Sequence, residues 1–254
     1  MQHAAELVNQ AKVIDLSADF RLHDVRLYEK YYGRSHDAPD WKAVYGLPEL
    51  GLRAEIRDSN LVANPGCYPT ASILALLPLA RAGLNRRDVP AVVDAKSGVS
   101  GAGRSKKETD FLFSEMSDSF KAYAPIGHRH TPEIEQAYGS AVRFTPHLLP
   151  IARGIHATAH VALKERVDLV ELYTEMYRHE PFVHVQATPP STKQVRGSNM
   201  CVIYPIYDDH TGFAVVCSVI DNLVKGAAGQ AIQNMNIMMG LPETAGLPRN
   251  GLWP

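Results

Sequence analysis

The sequence has few of the features that mark membrane proteins, disulfide-rich proteins or nucleic-acid-binding proteins. Its 254 residues contain 3 cysteines, an odd number without regular spacing, which excludes a disulfide framework. The formal net charge is -1, so nothing in the composition favours a nucleic acid or an acidic surface as a partner. No apolar run approaches the length of a membrane span, and the first residues lack the pattern of a secretory signal. We therefore expect a cytoplasmic protein without nucleic-acid or membrane partners.

What the sequence does contain is a cysteine in a tight turn between two apolar segments. Residues 60–63 predict a short buried strand, and residues 72–77 predict a helix with Pro69 just inside its start. Cys67 therefore falls at or just before a helix N-terminus, where the helix dipole and free N–H groups favour a thiolate. A thiolate beside backbone N–H donors suits acyl chemistry. The spacing alone is equally compatible with a buried structural cysteine.

The turn and five further motifs together resemble one enzyme family. The octet NPGCYPTA at residues 64–71 is similar to the active-site turn of the N-acetyl-gamma-glutamyl-phosphate reductases, which make a semialdehyde in arginine biosynthesis. The other motifs follow in family order: DLSADFR (15–21), YGLPE (45–49), SGVSGAGR (97–104), GHRHTPEI (127–134) and DNLVKGAAGQA (221–231). The resemblance implies NADPH-dependent reduction of N-acetyl-L-glutamyl 5-phosphate to N-acetyl-L-glutamate 5-semialdehyde and phosphate, through a thioester on Cys67.

Two histidines precede a predicted helix that has Thr131 as its N-cap and Pro132 at its first position. Loop histidines in such a place suit general acid–base catalysis near neutral pH. Metal binding and a plain polar loop stay open from the spacing, although His128 and His130 alone lack a full ligand set and we expect no metal. The resemblance implies that His128 is the acid–base residue and that Arg129 meets the charge of the substrate.

The resemblance also implies NADP as the cofactor and supplies candidates for binding it. Ser97 and Gly98 carry over as residues beside the nicotinamide, although a glycine loop by itself is typical of a simple turn. Asn222 carries over as a third cofactor residue, at the predicted N-cap of the last helix over residues 223–239. Arg104 is a candidate donor to the acyl phosphate, and a solvated helix start explains it equally well.

The second half of the chain predicts a sheet. Apolar and polar residues alternate over 155–161, which indicates a strand with one apolar face. A helix over 168–179 is predicted to start with Asp168 as its N-cap. Two further strands, 200–207 and 212–220, are separated by a short polar turn and predict a hairpin. Because the exposed side of such a sheet often pairs with a second subunit, we expect a homo-oligomer, a dimer or a tetramer.

The resemblance implies an α/β plus α+β fold with two domains. Residues 1–66 and 222–254 would form a partial, discontinuous Rossmann-like NADP-binding domain. Residues 67–221 would form an inserted antiparallel-sheet domain for catalysis and dimerisation, similar to the C-terminal domain of glyceraldehyde-3-phosphate dehydrogenase. We expect small-molecule acyl phosphate as the substrate class.

A dinucleotide-binding domain should begin with a strand, a glycine-rich turn and a helix, and no such unit precedes Lys12. A fragment, a mis-assigned start and one piece of a split protein are the open explanations. Three other functions stay compatible with the motifs. They are a sister acyl-phosphate reductase acting on aspartyl phosphate or on a carrier-linked aminoadipate or glutamate, a truncated non-catalytic oligomerisation module, and a metal-dependent hydrolase.

Overall fold

The computed structural model describes residues 1–103 and 113–252, and its strands form a smaller and a larger sheet. The helices are α1 (Gln2–Leu7), α2 (Val25–Tyr32), α3 (Arg53–Asp58), α4 (Cys67–Arg81), α5 (Phe113–Met116), α6 (Thr131–Tyr138), α7 (Leu169–Tyr177), α8 (Thr192–Val195) and α9 (Gly229–Met238). The strands are β1 (Val13–Asp15), β2 (Val44–Tyr45), β3 (Leu61–Ala63), β4 (Ala91–Gly98), β5 (Lys121–Ala122), β6 (Val142–Leu149), β7 (Ile155–Ala162), β8 (Val183–Val185), β9 (Cys201–Asp208) and β10 (Phe213–Ile220). None of the helices in these two ranges is long and apolar enough to cross a membrane.

The smaller sheet is parallel, with the strand order β1-β3-β2. Its middle strand β3 is buried throughout, as the apolar run at residues 60–63 predicts. Helices α3 and α9 pack against each other beside this sheet. Ile56 of α3 and Met238 of α9 share a hydrophobic cluster with Val62 of β3. Parallel strands covered by helices are typical of α/β domains, which confirms the predicted Rossmann-like part of the fold.

The larger sheet has seven strands in the order β5-β6-β4-β7-β10-β9-β8. Its central pairs, β4-β7, β7-β10 and β10-β9, are antiparallel, as predicted. The β4-β6 and β8-β9 pairs are parallel, so the sheet is mixed rather than purely antiparallel. The chain passes through α6 before it enters β6, and a crossover of this kind returns the strand in the same direction. The α+β part of the predicted fold is thus confirmed, with this difference.

Helix α4 forms the centre of the core and is buried on nearly every side. Every residue from Tyr68 to Leu79 is buried, and the helix packs against β7, β10 and α6. In β7, buried residues alternate with half-buried ones, as predicted for residues 155–161. A helix that is apolar all round belongs inside a protein. Its burial therefore fixes the position of its first residue, Cys67.

Several predicted ends of elements agree with the structure. The Asp168 carboxylate accepts a hydrogen bond from the backbone N–H of Glu171 and caps α7. Strands β9 and β10 form the predicted hairpin. Helix α6 differs by one residue: its N-cap is His130, and Thr131 is its first helical residue. Pro132 still lies in the first turn, where its missing N–H leaves no carbonyl unpaired.

The start of the last helix differs more. The chain forms a π-helical turn at Val224–Ala228 before α9 begins, and the N-cap is Leu223 rather than Asn222. The carboxylate of Asp221 accepts hydrogen bonds from the backbone N–H groups of Leu223 at 2.9 Å and Val224 at 3.3 Å. Because Asp221 supplies the capping oxygen, the side chain of Asn222 is available for other contacts.

Candidate active site

Cys67, the first residue of α4, lies where two clefts meet. One cleft has a volume of about 440 Å³ and the other about 270 Å³. Both are lined by Cys67, Gly101, Arg129 and His130. Cys67 comes directly after β3 and its following turn, so the buried strand and the buried helix hold it in place. The structure therefore brings the predicted cysteine and the predicted histidine loop to one place.

The resting state of Cys67 is the thiol. Burial raises the pKa of Cys67, while the backbone N–H of Tyr68 and the Arg21 guanidinium act in the opposite direction. The helix N-terminus thus acts on the sulfur as the sequence predicts, but the loss of hydration outweighs it. A thiolate at this position needs a base to accept its proton.

Glu133 connects the cysteine turn to His130. Its Oε1 accepts hydrogen bonds from the backbone N–H of Gly66 at 2.8 Å and from the hydroxyl of Tyr45 at 2.7 Å. Its Oε2 lies 3.0 Å from His130 Nδ1. Burial pushes the pKa of Glu133 up, but Arg21 and His130 outweigh it and lower the pKa to about 2. The ionised carboxylate therefore accepts a hydrogen bond from Nδ1–H, which leaves Nε2, the second ring nitrogen of neutral His130, without a proton.

His130 is close to the turn before Cys67 and is uncharged. A Cβ built on Gly66 would lie 2.4 Å from His130 Cε1, so the ring packs directly on the residue before Cys67. Burial lowers the pKa of His130, against the opposing effect of Glu133. Neutral imidazole with a free nitrogen, oriented by a carboxylate, is the arrangement of a general base.

His128 is buried in the smaller cleft and has the opposite tautomer. Its Nδ1 accepts a hydrogen bond from the backbone N–H of His130 at 3.2 Å, so the ring proton sits on Nε2. Burial, with the neighbouring His130 and Arg129, lowers the pKa of His128 to about 3. Its ring centroid lies 5.6 Å from that of Tyr123, which also lines this cleft. At neutral pH this side chain can donate one hydrogen bond through Nε2–H and carries no charge.

Arg21 is a site residue that sequence reasoning missed. It is buried, and its Nε donates to the carbonyl of Asn64 at 2.7 Å while Nη2 donates to the carbonyl of Leu16 at 2.8 Å. Its Nη1 lies 3.7 Å from Glu133 Oε2. The guanidinium therefore holds the turn before Cys67 and balances the charge of Glu133. The motif at residues 15–21 contains Arg21, but nothing in its spacing distinguishes this arginine from its neighbours.

Ser97 and Gly98 lie behind the larger cleft rather than on its wall. Ser97 is 0% exposed, and its hydroxyl donates to the carbonyl of Gly98. The wall itself is formed by the turn that follows, through Ser100, Gly101 and Gly103. The predicted pair therefore supports the turn, and its cofactor role stays a prediction.

Asn222 does line the larger cleft, but its amide is already bonded. Its Oδ1 accepts from the backbone N–H of Gly154 at 2.6 Å, and its Nδ2 donates to the hydroxyl of Ser100 at 3.0 Å. Asn222 Nδ2 has a second N–H, and the Ser100 hydroxyl still has its own proton, so these two cleft-lining groups can donate to a carboxamide oxygen. Four glycines on the wall (Gly66, Gly101, Gly103 and Gly226) bring backbone close to the space. The residues present therefore fit the nicotinamide half of a dinucleotide.

Of the two arginines predicted to bind the substrate, the structure describes one. Arg129 is exposed and lines both clefts, beside the two histidines. Arg104 lies outside the described residues. Within residues 1–103 and 113–252, no group of three or more histidine, cysteine or acidic side chains is arranged to hold a metal ion.

Comparison with known proteins places these features in one family. The family model described as "Semialdehyde dehydrogenase, dimerisation domain" matches residues 67–222. The N-acetyl-gamma-glutamyl-phosphate reductase of Nitrosomonas europaea is 52% identical over an alignment of 265 positions, which covers 100% of this chain and 77% of that protein. The enzyme of the same name from Symbiobacterium thermophilum is 54% identical over an alignment of 261 positions, which covers 97% of this chain and 74% of that protein.

Solved structures with the same fold are more distant in sequence. Aspartate semialdehyde dehydrogenase II from Vibrio cholerae matches with a TM-score of 0.69 and 20% identity, over 94% of this chain and 77% of that chain. Its complex with ASA matches with a TM-score of 0.71 and 19% identity, over 94% of this chain and 75% of that chain. At this identity the likeness shows the fold, a Rossmann-like part joined to a dimerisation domain.

Proposed function

The chain belongs to the N-acetyl-gamma-glutamyl-phosphate reductase family, and we propose that it reduces N-acetyl-L-glutamyl 5-phosphate to N-acetyl-L-glutamate 5-semialdehyde and phosphate with NADPH. One observation carries the proposal: Cys67 begins a buried helix between two clefts, beside a histidine that a carboxylate orients. A cysteine beside a base that a third group orients is the arrangement of an enzyme that forms a thioester. The reaction belongs to arginine biosynthesis, and we place it in a reducing cytoplasm, where the 3 cysteines stay free.

The first half of the reaction is acyl transfer to sulfur. His130 removes the thiol proton of Cys67, and Sγ attacks the acyl carbon. The bond between that carbon and the phosphate oxygen breaks, and the proton held by His130 goes to the leaving phosphate. Arg21 and the backbone N–H of Tyr68 are the donors on hand for the negative charge that develops, while Nε2–H of His128 can donate to the bound substrate. The product of this half is a thioester on Cys67.

Bound NADPH supplies the hydride that reduces this thioester. The chain's own residues then release the product: the carbon–sulfur bond breaks, the aldehyde carbonyl forms, and His130 passes a proton from solvent to the Cys67 thiolate. The two clefts divide the substrates, with the cofactor beside Ser100 and Asn222 in the larger cleft. The acyl chain lies beside Tyr123 and Arg129 in the smaller one.

Assembly and domain division are part of the same proposal. We assign residues 67–221 to catalysis and dimerisation, and residues 1–66 with 222–254 to the cofactor side. A homo-oligomer fits the dimerisation-domain model that matches residues 67–222. Arg104 remains a candidate donor to the acyl phosphate.

Three variants and one control test the chemistry. Cys67→Ser should lose both turnover and labelling by iodoacetamide, while Cys217→Ser, at a half-buried cysteine in β10, should keep both. His130→Asn should lower kcat by about 10²- to 10⁴-fold, the usual effect of removing a general base. His128→Asn should mainly raise KM, because it removes a hydrogen-bond donor to the substrate.

The result also decides between the two histidines. If His128→Asn has the larger effect on kcat, the sequence-based choice of His128 as the acid–base residue is right and the geometric argument for His130 fails. Retention of turnover by Cys67→Ser would refute the thioester route altogether. A fluorescence titration with NADPH, beside one with NADH, tests the cofactor independently of turnover.

A further inference from the structure

A lysine and a glutamate that take no part in the proposed chemistry form a fully buried ion pair close to Cys67. The side chains of Lys225 and Glu49 are 0% exposed, and Lys225 Nζ lies 2.7 Å from Glu49 Oε1. Nζ also donates to Gln233 Oε1 at 2.8 Å and lies 5.6 Å from the centroid of the Phe182 ring. Buried ion pairs contribute little net stability compared with apolar residues of similar size. Stability alone therefore does not explain why this buried pair is present, and its position in the fold suggests another role.

Lys225 lies in the π-helical turn Val224–Ala228, directly before the glycine that touches the nucleophile. A Cβ built on Gly226 would lie 2.8 Å from Cys67 Cβ and 3.2 Å from Cys67 Cα. The backbone of the turn is thus one wall of the space around the Cys67 side chain. Single π-turns are rare in helices and are found mostly at functional sites.

The other end of the pair is anchored in a different part of the fold. Glu49 lies in the short 3₁₀ turn Pro48–Leu50 that follows β2, 176 residues from Lys225 in sequence. Gln233 is in α9 and donates through Nε2 to Glu243 Oε1 at 2.7 Å. Within the described residues, Glu49 Oε2 has no hydrogen-bond partner, and Lys225 is the main positive charge acting on this buried carboxylate, with Arg53 adding less. The lysine therefore ties the π-turn to the smaller-sheet region.

We propose that the Lys225–Glu49 pair is a positioning device that holds Gly226 against Cys67 and so sets the direction and solvent access of the Cys67 sulfur. The proposal rests on the proposed function in one respect, that Cys67 is the nucleophile. Lys225 is one residue from Gly226, and its Nζ is fixed by two acceptors. A shift of the lysine backbone moves the wall, and a shift of the wall frees the sulfur to turn away from the acyl carbon.

The test replaces both charges by apolar side chains of similar length, in Lys225→Met/Glu49→Leu. Such a replacement of a buried pair is expected to fold and to keep its Tm. With the tether gone, kcat should fall at least tenfold while KM changes less than threefold. Labelling of Cys67 by iodoacetamide should become at least threefold faster, because the wall recedes and water reaches the sulfur. A lower kcat together with faster labelling of Cys67 would indicate that the sulfur has lost its position.

Val142→Ala is the matched control, because Val142 is buried at the start of β6, away from both clefts. It lowers stability without touching the pair, so its labelling rate at 25 °C should equal that of the wild type. Wild-type kcat or a wild-type labelling rate in the double variant overturns the proposal, and leaves the role of Cys67 standing. Should the double variant fail to fold, Lys225→Gln/Glu49→Gln decides by the same two readouts, since it removes both charges and the shorter side chain at residue 225 breaks the contact.

Discussion

His128 gives a prediction whose size follows from the structure. The ring is buried, with His130 and Arg129 nearby, and these surroundings lower its pKa from 6.5 to about 3. The unfolded chain keeps the ordinary value, so it takes up the proton first as the pH falls. The contribution of the neutral His128 ring to the free energy of unfolding is therefore fully present above pH 6.5, and it decreases as the pH falls from about 6.5 to about 3. His128→Asn removes this titration and keeps an oxygen to accept the backbone N–H of His130.

The expected difference is large enough to measure. Each pH unit below 6.5 costs the wild type about 1.4 kcal/mol until the folded ring also protonates. Between about pH 7 and pH 5, the wild type should therefore lose about 2 kcal/mol more unfolding free energy than His128→Asn. His130 titrates in both proteins and contributes little to the difference between them.

Urea denaturation at several pH values between 7 and 5, followed by circular dichroism, measures the effect. His184→Asn, at an exposed histidine, is the control and should follow the wild-type curve. Parallel curves for the wild type and His128→Asn would refute the reasoning. They would mean that His128 can be charged in the folded protein, and that it is free to act as the acid–base residue.

Two further substitutions test the walls of the larger cleft. A Cβ on Gly101 would lie 2.3 Å from Ser97 Oγ, so Gly101→Ala should displace the turn and weaken NADPH binding about tenfold, or about 1.4 kcal/mol, in a fluorescence titration. The double variant Ser97→Ala/Gly101→Ala should recover most of the lost NADPH affinity. Equal affinities for the single and the double variant would contradict this account. Asp221→Asn leaves Arg153 without its counter-ion at 2.8 Å and should cost about 2 kcal/mol in urea denaturation. Asp209→Asn, at an exposed pair, should cost less than about 1 kcal/mol, and similar losses for both would contradict the difference in burial.

The sequence predicts those parts of the fold that depend on neighbours in the chain. The alternation in β7, the β9–β10 hairpin and the Asp168 cap are each set by residues within a few positions of one another. The parallel pairing of β4 with β6 is different, because it depends on where α6 packs. At the start of the last helix, the sequence predicts Asn222 as the capping residue, but the capping oxygen comes from Asp221, for a related reason. Asp221 and Asn222 are both good capping residues, and only the tertiary contacts of Asn222 with Gly154 and Ser100 decide between them.

The same limit applies to the candidate site. Cys67 and the histidines stand out because a short motif contains them. In the sequence, Arg21 is 46 residues before Cys67 and Glu133 is 66 residues after it. No periodicity or helix-cap pattern relates either residue to Cys67, although the two side chains lie together in the fold. The Lys225–Glu49 contact spans 176 residues. Such side chains are recognisable only when the fold removes them from water, since a buried charge must find its partner.

The charges around Cys67 have a consequence for the order of events in the site. Burial raises the pKa of Cys67 and lowers that of His130, so each side chain alone is held uncharged. Proton transfer from sulfur to imidazole creates two charges together, and each then has a partner already in place. Arg21 and the backbone N–H of Tyr68 favour the thiolate, while Glu133 favours the imidazolium. The two charges also attract each other at low dielectric. In the proposed reaction, the reactive thiolate is therefore tied to a protonated His130, and that proton is at hand when the phosphate leaves.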